Sequence, residues 1–292
     1  MSAALQARIH AIKLTGQSAE GGQKQLDYFS AGLLECALKN DQASMECPIF
    51  SLSTKQDNKL WRWISSDGKK SVEVAPGFYG RATIFDKDVL IFCISQLLAG
   101  VNSGIKPSRT VRFTARNFLL STKRGTSGDS YNLFRQALNR LAGTQITTNI
   151  QTGKIRASSG FGIIDSWQII EKTAGDRMLA VEVKLSDWLF NAINSKEILT
   201  INPNYFELRK PLERRLYEVA RKHVGQQNSW EIGAEALRNK CGSTVARLRQ
   251  FRGELEKIIE SDNLPDYKLM LEDGKVRFYT RDVQKLAKRI LK

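Results

Sequence analysis

The sequence is poor in the residues that hold metals and covalent cross-links. Its 292 residues include only two histidines and four cysteines, and no Cys-x-x-Cys pair occurs. A zinc site needs closely spaced Cys and His ligands, so the sequence predicts no bound metal and no other cofactor. We interpret the cysteines as reduced thiols; they are Cys36, Cys47, Cys93 and Cys241.

Long apolar runs are also missing. The longest, residues 89–101, is interrupted by Ser95, Gln96 and Gly100 and is shorter than the roughly 20 apolar residues that cross a bilayer. The N-terminus has no apolar segment followed by a small-residue cleavage site, as a secretory signal requires. We therefore expect a cytoplasmic protein with no membrane partner.

The motifs of common enzymes are absent. Gly16 and Gly21 have the spacing of a phosphate-binding loop, but Gly22 stands where that loop needs lysine. No Gly-x-Ser-x-Gly motif is present. Asp86 and Asp88 could bind a metal as a carboxylate pair, but a helix cap and a helix-dipole partner are the simpler interpretation. We therefore expect a protein that is not an enzyme, and a DNA-nicking or priming enzyme is the weakest alternative.

Acidic residues are too few to balance the basic ones. The chain has 45 Lys and Arg against 30 Asp and Glu, a net charge of +15. The excess lies in two blocks: residues 86–186 have 14 basic and 7 acidic residues, and residues 203–292 have 20 and 13. Such charge attracts polyanions, and two blocks favour two domains that each face a phosphate backbone. Nucleic acid is therefore the first partner to test.

Composition and pattern divide the chain into three parts. Residues 1–45, rich in Gln, Gly, Ser and Ala, are predicted to be a flexible N-terminal arm. Within this arm, residues 28–38 have a helical apolar pattern, which we expect either to fold on a partner protein or to pack on the first domain. Residues 46–200 form a first domain, with a β element around Asp67-Gly68, and residues 201–292 form a second.

One order of elements occurs in both domains. Helix, short strand, helix, turn, helix and β-hairpin follow one another after residue 86 and again after residue 211. This is the order of a winged helix, a helix-turn-helix with a β wing. The predicted fold is α+β, with two tandem winged-helix domains that form a pseudo-dimer. We place the first hairpin directly after the helix, around Thr152-Gly153.

The helix after each turn should enter the major groove and contact base edges. These recognition helices are residues 130–141, after the turn 123–129, and residues 245–260, after the turn 240–244, where Ser243 or Thr244 can cap the helix. For any one arginine, a solvated surface charge is an equal alternative. The residues predicted to contact DNA are Arg124, Ser127, Ser130, Asn132, Arg135, Gln136, Asn139, Arg140, Lys154, Arg156, Lys240, Ser243, Thr244, Arg247, Arg249, Gln250, Arg252, Lys275 and Arg277.

Other basic residues are predicted to add affinity without sequence preference. Arg214, Arg215, Arg221 and Lys222 are placed opposite the apolar stripe of a helix, as phosphate contacts or solubilising charge. The C-terminal residues from Arg281 onward are interpreted in the same way.

Several segments resemble the plasmid replication initiator protein A family. The resemblance runs from about residue 48 to the C-terminus, and residues 1–45 have none. The segments are ATIFDKDVLIFCISQL, VRFTARNFL, YNLFRQALNRLAGTQITTN, IIDSW, ILTINPNYFEL, LERRLYEVARKHVG and GSTVARLRQFRGELEKIIESDNLPDYKL.

The resemblance implies a plasmid replication initiator. Such a protein binds repeated sites, called iterons, in double-stranded origin DNA, promotes melting of an adjacent A·T-rich segment and recruits the host initiator and replicative helicase. In related initiators, homodimers often repress their own promoter while monomers start replication, and the sequence leaves open which state this chain prefers. A sequence-specific transcriptional autorepressor without a replication role is the alternative.

Overall fold

The computed structural model describes residues 28–32, 36–150, 159–171 and 178–284. These residues form a mixed α+β fold, which confirms the predicted fold class. A short 3-10 helix spans Pro203–Glu207. The α-helices are α1 (Gln42–Glu46), α2 (Asp88–Asn102), α3 (Ala115–Ser121), α4 (Gly128–Gly143), α5 (Asp187–Asn194), α6 (Pro211–Val224), α7 (Ala234–Cys241) and α8 (Leu248–Ser261).

The strands form four sheets. In order across each sheet, they are β1-β5-β9-β8, β3-β4-β6-β7, β10-β2 and β11-β13-β12. The strand bounds are β1 (Phe29–Ser30), β2 (Lys39–Asp41), β3 (Trp61–Ile64), β4 (Ser71–Ala75), β5 (Thr110–Phe113), β6 (Gln145–Thr148), β7 (Ser159–Gly162), β8 (Ile164–Glu171), β9 (Met178–Leu185), β10 (Ile198–Thr200), β11 (Ser229–Gly233), β12 (Tyr267–Glu272) and β13 (Lys275–Thr280).

One unit of topology occurs twice. The first unit consists of α2, β5, α3, α4, β8 and β9, and the second of α6, β11, α7, α8, β12 and β13. In both units, the strand before the middle helix pairs with the last strand of the hairpin, so that β5-β9-β8 corresponds to β11-β13-β12. The repeated order of elements that the sequence predicts is therefore also a repeated order of strand pairing.

Each unit has its own hydrophobic core. In the first core, aromatic rings from α2, β5, α3 and α4 meet, and the ring centroids of Phe118 and Phe134 are 4.6 Å apart. The second core is built on Leu216, Phe251 and Phe278. Helix α2 is shared, because Leu90 is buried in the first core and Ile91 in the second. A helix that is largely apolar on every side is expected to be buried on every side, as residues 88–97 of α2 are.

Residues 28–45 differ from the prediction. The predicted helix over residues 28–38 is wrong in the parts that are described, because Phe29–Ser30 form β1, which pairs in parallel with β5. The Phe29 ring lies against Gly100 of α2, where no side chain occupies the space. Residues 39–46, assigned to the arm and its junction, form β2 and α1, and Met45 is buried in the second core. Residues 1–27 lie outside the described residues.

The hairpin of the first unit also differs. The strand directly after α4, β6, pairs antiparallel with the next strand, β7, and the predicted turn Thr152-Gly153 lies outside the described residues. These strands lie in a separate sheet with β4, however, and the hairpin that corresponds to β12–β13 is β8–β9. Val74 and Ile146, paired across β4 and β6, are both buried, so β6 and β7 extend the β3–β4 sheet and do not join the sheet that contains β5.

Two predicted helix caps are wrong. Lys87, and not Asp86, is the N-cap residue of α2. Helix α8 begins at Leu248 after Arg247, and no side chain caps it, because residues 243–247 form a longer turn in which Ser243 Oγ accepts a hydrogen bond from the Val245 amide.

Candidate nucleic-acid interface

Helix α4 presents a polar face to solvent. Its buried face is fixed by Phe134, Leu138 and Leu141, which recur at helical spacing in the first core. Asn132 and Gln136, four residues apart, are exposed on the opposite side. Arg135 is exposed beside them and Asn139 is half-buried one turn further on. Helix α4 therefore places amide and guanidinium groups together, which are the groups that form bidentate pairs with bases.

Helix α8 presents a more basic face. Phe251, Leu255 and Ile258 are buried in the second core. The polar side chains exposed in the preceding turn and the first turns of α8 include Thr244, Arg247, Arg249, Gln250 and Arg252. Within the described part of the chain, Arg249 and Arg247 form no ion pair. These two guanidinium groups are available to a phosphate or a guanine edge.

The turn before α4 contributes two predicted serines. Ser127 is the N-cap residue of α4, is exposed, and makes no side-chain cap bond. Its hydroxyl lies 3.3 Å from that of the half-buried Ser130. Two hydroxyl groups therefore lie beside the backbone amides of the first turn of α4, an arrangement suited to binding a phosphate oxygen.

Three residues predicted to contact DNA have acidic partners within the protein. Arg140 donates two hydrogen bonds to Asp86, each 2.7 Å long, and these bonds raise its pKa. Arg124 donates to Asp88 and to the Phe85 carbonyl, both at 2.7 Å. Lys240 pairs with Glu46 at 2.8 Å. Sequence patterns could not separate these residues from Arg249, because their acidic partners lie far away along the chain.

The predicted solvent exposure of Arg214 and Arg215 is wrong. The sequence placed both on a solvent face, but each is only 2% exposed. Arg214 is paired with Asp88, and Arg215 with Glu218 and several backbone carbonyls. Arg221 and Lys222, further along α6, are half-buried.

Both basic residues predicted for the second hairpin, Lys275 and Arg277, lie next to the carboxylate of Glu231. Lys275 Nζ lies 2.9 Å from Glu231 on β11, and Arg277 Nε donates to the same carboxylate at 2.9 Å. Hydrogen bonds from these two side chains lower the pKa of Glu231. Lys154 and Arg156, predicted for the first hairpin, lie outside the described residues.

A cleft of about 850 Å³ borders α4 and contains residues that the sequence did not single out. Leu133 is 54% exposed on α4 and lines the cleft beside Gln136. Lys55 and Arg209, both exposed, line it with Tyr79. An exposed leucine between polar groups can make an apolar contact of the kind that the methyl group of thymine accepts. In the sequence, Leu133 differs from the core leucines of α4 only in its position on the outer face of the helix. Helical periodicity gives that position but does not indicate a binding role.

An aromatic turn stands at the edge of this cleft. Phe78 is 89% exposed, and its ring centroid is 5.1 Å from that of Tyr79. The turn is held in place, since the Gln56 side-chain amide donates to the Phe78 carbonyl at 3.1 Å. Gly77 lies directly on Gly143 at the end of α4, where a Cβ atom would be 2.6 Å from the Gly143 oxygen. The Phe-Tyr pair between two glycines is the sequence signal for this turn.

The described part of the chain contains no cluster of three or more His, Cys, Asp or Glu side chains that could hold a metal ion. None of its helices combines the length and the apolar character needed to cross a bilayer.

The fold is similar to that of two solved structures of RctB domains. Domains 2 and 3 of RctB, as a selenomethionine derivative, match with a TM-score of 0.61 at 12% identity, over 82% of this chain and 98% of that one. Another crystal structure of RctB domains 2–3 matches with a TM-score of 0.55 at 14% identity, over 82% and 97%. At this identity the likeness establishes a shared fold.

The family follows from the sequence comparison. Residues 39–269 match the family described as replication initiator protein A. A putative replication protein of Wigglesworthia glossinidia brevipalpis is 41% identical over 236 residues, which are 80% of this chain and 84% of that protein. The chain belongs to the replication initiator protein A family, which confirms the resemblance found in its motifs.

Proposed function

We propose that this protein is a plasmid replication initiator that binds double-stranded origin DNA through α4 and α8. The observation that carries the proposal is the repeated unit. In each copy, a helix with an exposed polar face follows a turn at the same topological position. We interpret the two units as tandem winged helices, in which these helices enter the major groove.

Two recognition helices in one chain act as an internal pseudo-dimer. Such a molecule contacts two major grooves on one face of the duplex, about 10 bp apart. It therefore suits direct repeats such as iterons. The proposed contacts to bases come from Asn132, Gln136, Arg249 and Gln250, and Arg247 contacts phosphate.

The remaining steps of the proposal follow from family membership. After binding, the protein promotes melting of adjacent DNA and recruits the host initiator and replicative helicase. It works in the cytoplasm, as a monomer or homodimer, without a cofactor and without catalysing a covalent step. Incubation of the protein with origin DNA, nucleotides and Mg²⁺ should therefore yield neither cleavage nor nucleotide incorporation.

The first experiment is a binding titration on duplex DNA from directly upstream of the protein's own gene, with a scrambled duplex as competitor and at two salt concentrations. We expect binding to repeated sites with a specificity ratio of about 10³ or more. Equal and strongly salt-dependent binding to both duplexes would contradict the proposal. Specific binding by a protein that does not support replication of an origin plasmid would favour the autorepressor.

Single substitutions test the roles of the two helices. Gln136→Ala and Arg249→Ala should each weaken specific binding by about 1 to 3 kcal/mol and relax preference at one base position. Arg62→Gln, which removes an exposed guanidinium group paired with Glu73 on β4, is the matched control and should leave specific binding unchanged. If Arg249→Ala weakens specific and scrambled duplexes equally, Arg249 contacts phosphate and not a base.

A further inference from the structure

Three consecutive charged residues lie between the two units. Asp86, Lys87 and Asp88, which we call the junction triplet, stand at the N-terminal end of α2 and are at most 3% exposed. Buried charges are retained only where partners compensate for lost hydration. Each member of the triplet has such partners, and these partners belong to elements that carry or precede the candidate recognition helices.

The triplet forms hydrogen bonds at both ends of α4. Asp86 accepts both hydrogen bonds of the Arg140 fork, near the C-terminal end of α4. One carboxylate oxygen of Asp88 accepts a hydrogen bond from Arg124, in the turn that leads into α4. The position and the rotation of α4 are therefore set against the start of α2.

The same triplet ties the second unit through α6. The other oxygen of Asp88 accepts a hydrogen bond from Arg214 at 2.5 Å, and Lys87 donates to Glu218 at 2.7 Å. Glu218 is also paired with Arg215, which donates at 2.8 Å to the carbonyl of Lys240, just before the turn that leads into α8. A continuous set of charge-assisted contacts thus connects the turns that precede α4 and α8.

We propose that the junction triplet sets the distance and angle between α4 and α8, and thereby the spacing between the two DNA segments that one molecule binds. Hydrogen-bonded charges at short range accept only a narrow geometry, whereas an apolar contact of equal area tolerates sliding. The triplet residues are positioning residues and do not touch DNA. The inference rests on the proposed function, in which both helices bind one duplex.

The first test needs no DNA. Spin labels on Asn132→Cys and Gln250→Cys, in a Cys36→Ser background, report the distance between α4 and α8 by pulsed electron paramagnetic resonance. The other three cysteines are buried. With the native triplet, we expect one narrow distance distribution. Asp88→Asn should broaden or shift it, while the control Arg62→Gln should not.

A milder variant guards against loss of folding. Arg124→Lys keeps the charge but not the planar fork, and Arg124 is partly exposed, so this protein should fold even if Asp88→Asn does not. Circular dichroism decides which variant is used. An unchanged distance distribution in the folded variants would overturn the role of the triplet.

The second test measures spacing directly. From a pool of random duplexes, those bound by the unmodified protein are selected and footprinted, and 1 to 10 bp are inserted between the two protected segments. An insertion of 5 bp places the segments on opposite faces and should weaken binding at least about tenfold. Asp88→Asn or Arg124→Lys should make the affinity depend less on the number of inserted base pairs. A footprint with one segment contradicts the proposed function itself, whereas a preserved profile in the variants contradicts only the role of the triplet.

Discussion

Some arginines of this protein are exposed to solvent, and others are paired with acidic side chains inside the protein. The sequence alone does not distinguish the two cases. Arg140 and Arg249 both lie on the polar side of an amphipathic helix. Arg140 meets Asp86, which is 54 residues away along the chain, and Arg249 remains exposed. Long-range pairing decides the role of each arginine, and a single sequence carries no direct signal of such pairing.

The aromatic turn gives a prediction at the residue scale. Gly77→Ala should destabilise the protein by about 1 to 3 kcal/mol, because the added Cβ would meet backbone atoms of Gly143 that cannot move aside. Chemical denaturation, followed by circular dichroism, measures the change in the free energy of unfolding.

Gly253→Ala is the matched control for this substitution. Gly253 lies inside α8, where a Cβ atom would have no neighbour within 4 Å. Alanine favours a helix over glycine, so this variant should gain about 0.5 to 1 kcal/mol. Equal effects of the two substitutions would show that the close approach at Gly77 has no energetic weight.

At the scale of elements, local patterns predict helices well and strand partners poorly. Apolar residues at helical spacing located α4, α6 and α8, and Asp273-Gly274 located the β12–β13 turn. The same pattern-based argument paired the strand after α4 with its neighbour in sequence. That strand, β6, does pair with its sequence neighbour β7, but it also pairs with β4, over 60 residues earlier, and this second pairing has no local signal in the sequence.

Helix α1 joins α6 and α7 through one carboxylate, which gives a prediction about pH. Burial alone would raise the pKa of Glu46, but His223 at 3.0 Å and a hydrogen bond from Lys240 outweigh it, so the pKa lies well below its usual range. An acid with a depressed pKa in the folded state stabilises the protein above its unfolded pKa of about 4.5 and loses this contribution as the pH falls.

We therefore expect Glu46→Gln to be less stable than the unmodified protein at pH 6, by about 1 kcal/mol after allowance for partial solvent contact. The difference should shrink as the pH falls from 5 to 3. Denaturation across this range measures it, with Glu73→Gln, at an exposed ion pair with Arg62, as control. A difference that stays constant with pH would show that Glu46 acts only through packing.

For the whole molecule, the question is whether the two units unfold together. Helix α2 supplies side chains to both cores, and the junction triplet at its start binds both units. Two units that share a buried helix cannot separate without exposing it, which costs hydrophobic free energy in both cores. A spacing function requires such rigidity, since independent units would bind half-sites at many separations.

Ile91→Ala tests this coupling. Ile91 belongs to α2 but contacts the second core, and its truncation should cost about 2 to 5 kcal/mol. If the units unfold cooperatively, hydrogen exchange should show the same loss of opening free energy in the β5–β9 pair of the first unit and in β12–β13 of the second. A loss confined to β12–β13 would mean that α2 joins the units in space but not in stability, and the distance between α4 and α8 would then fluctuate with each opening of the second unit.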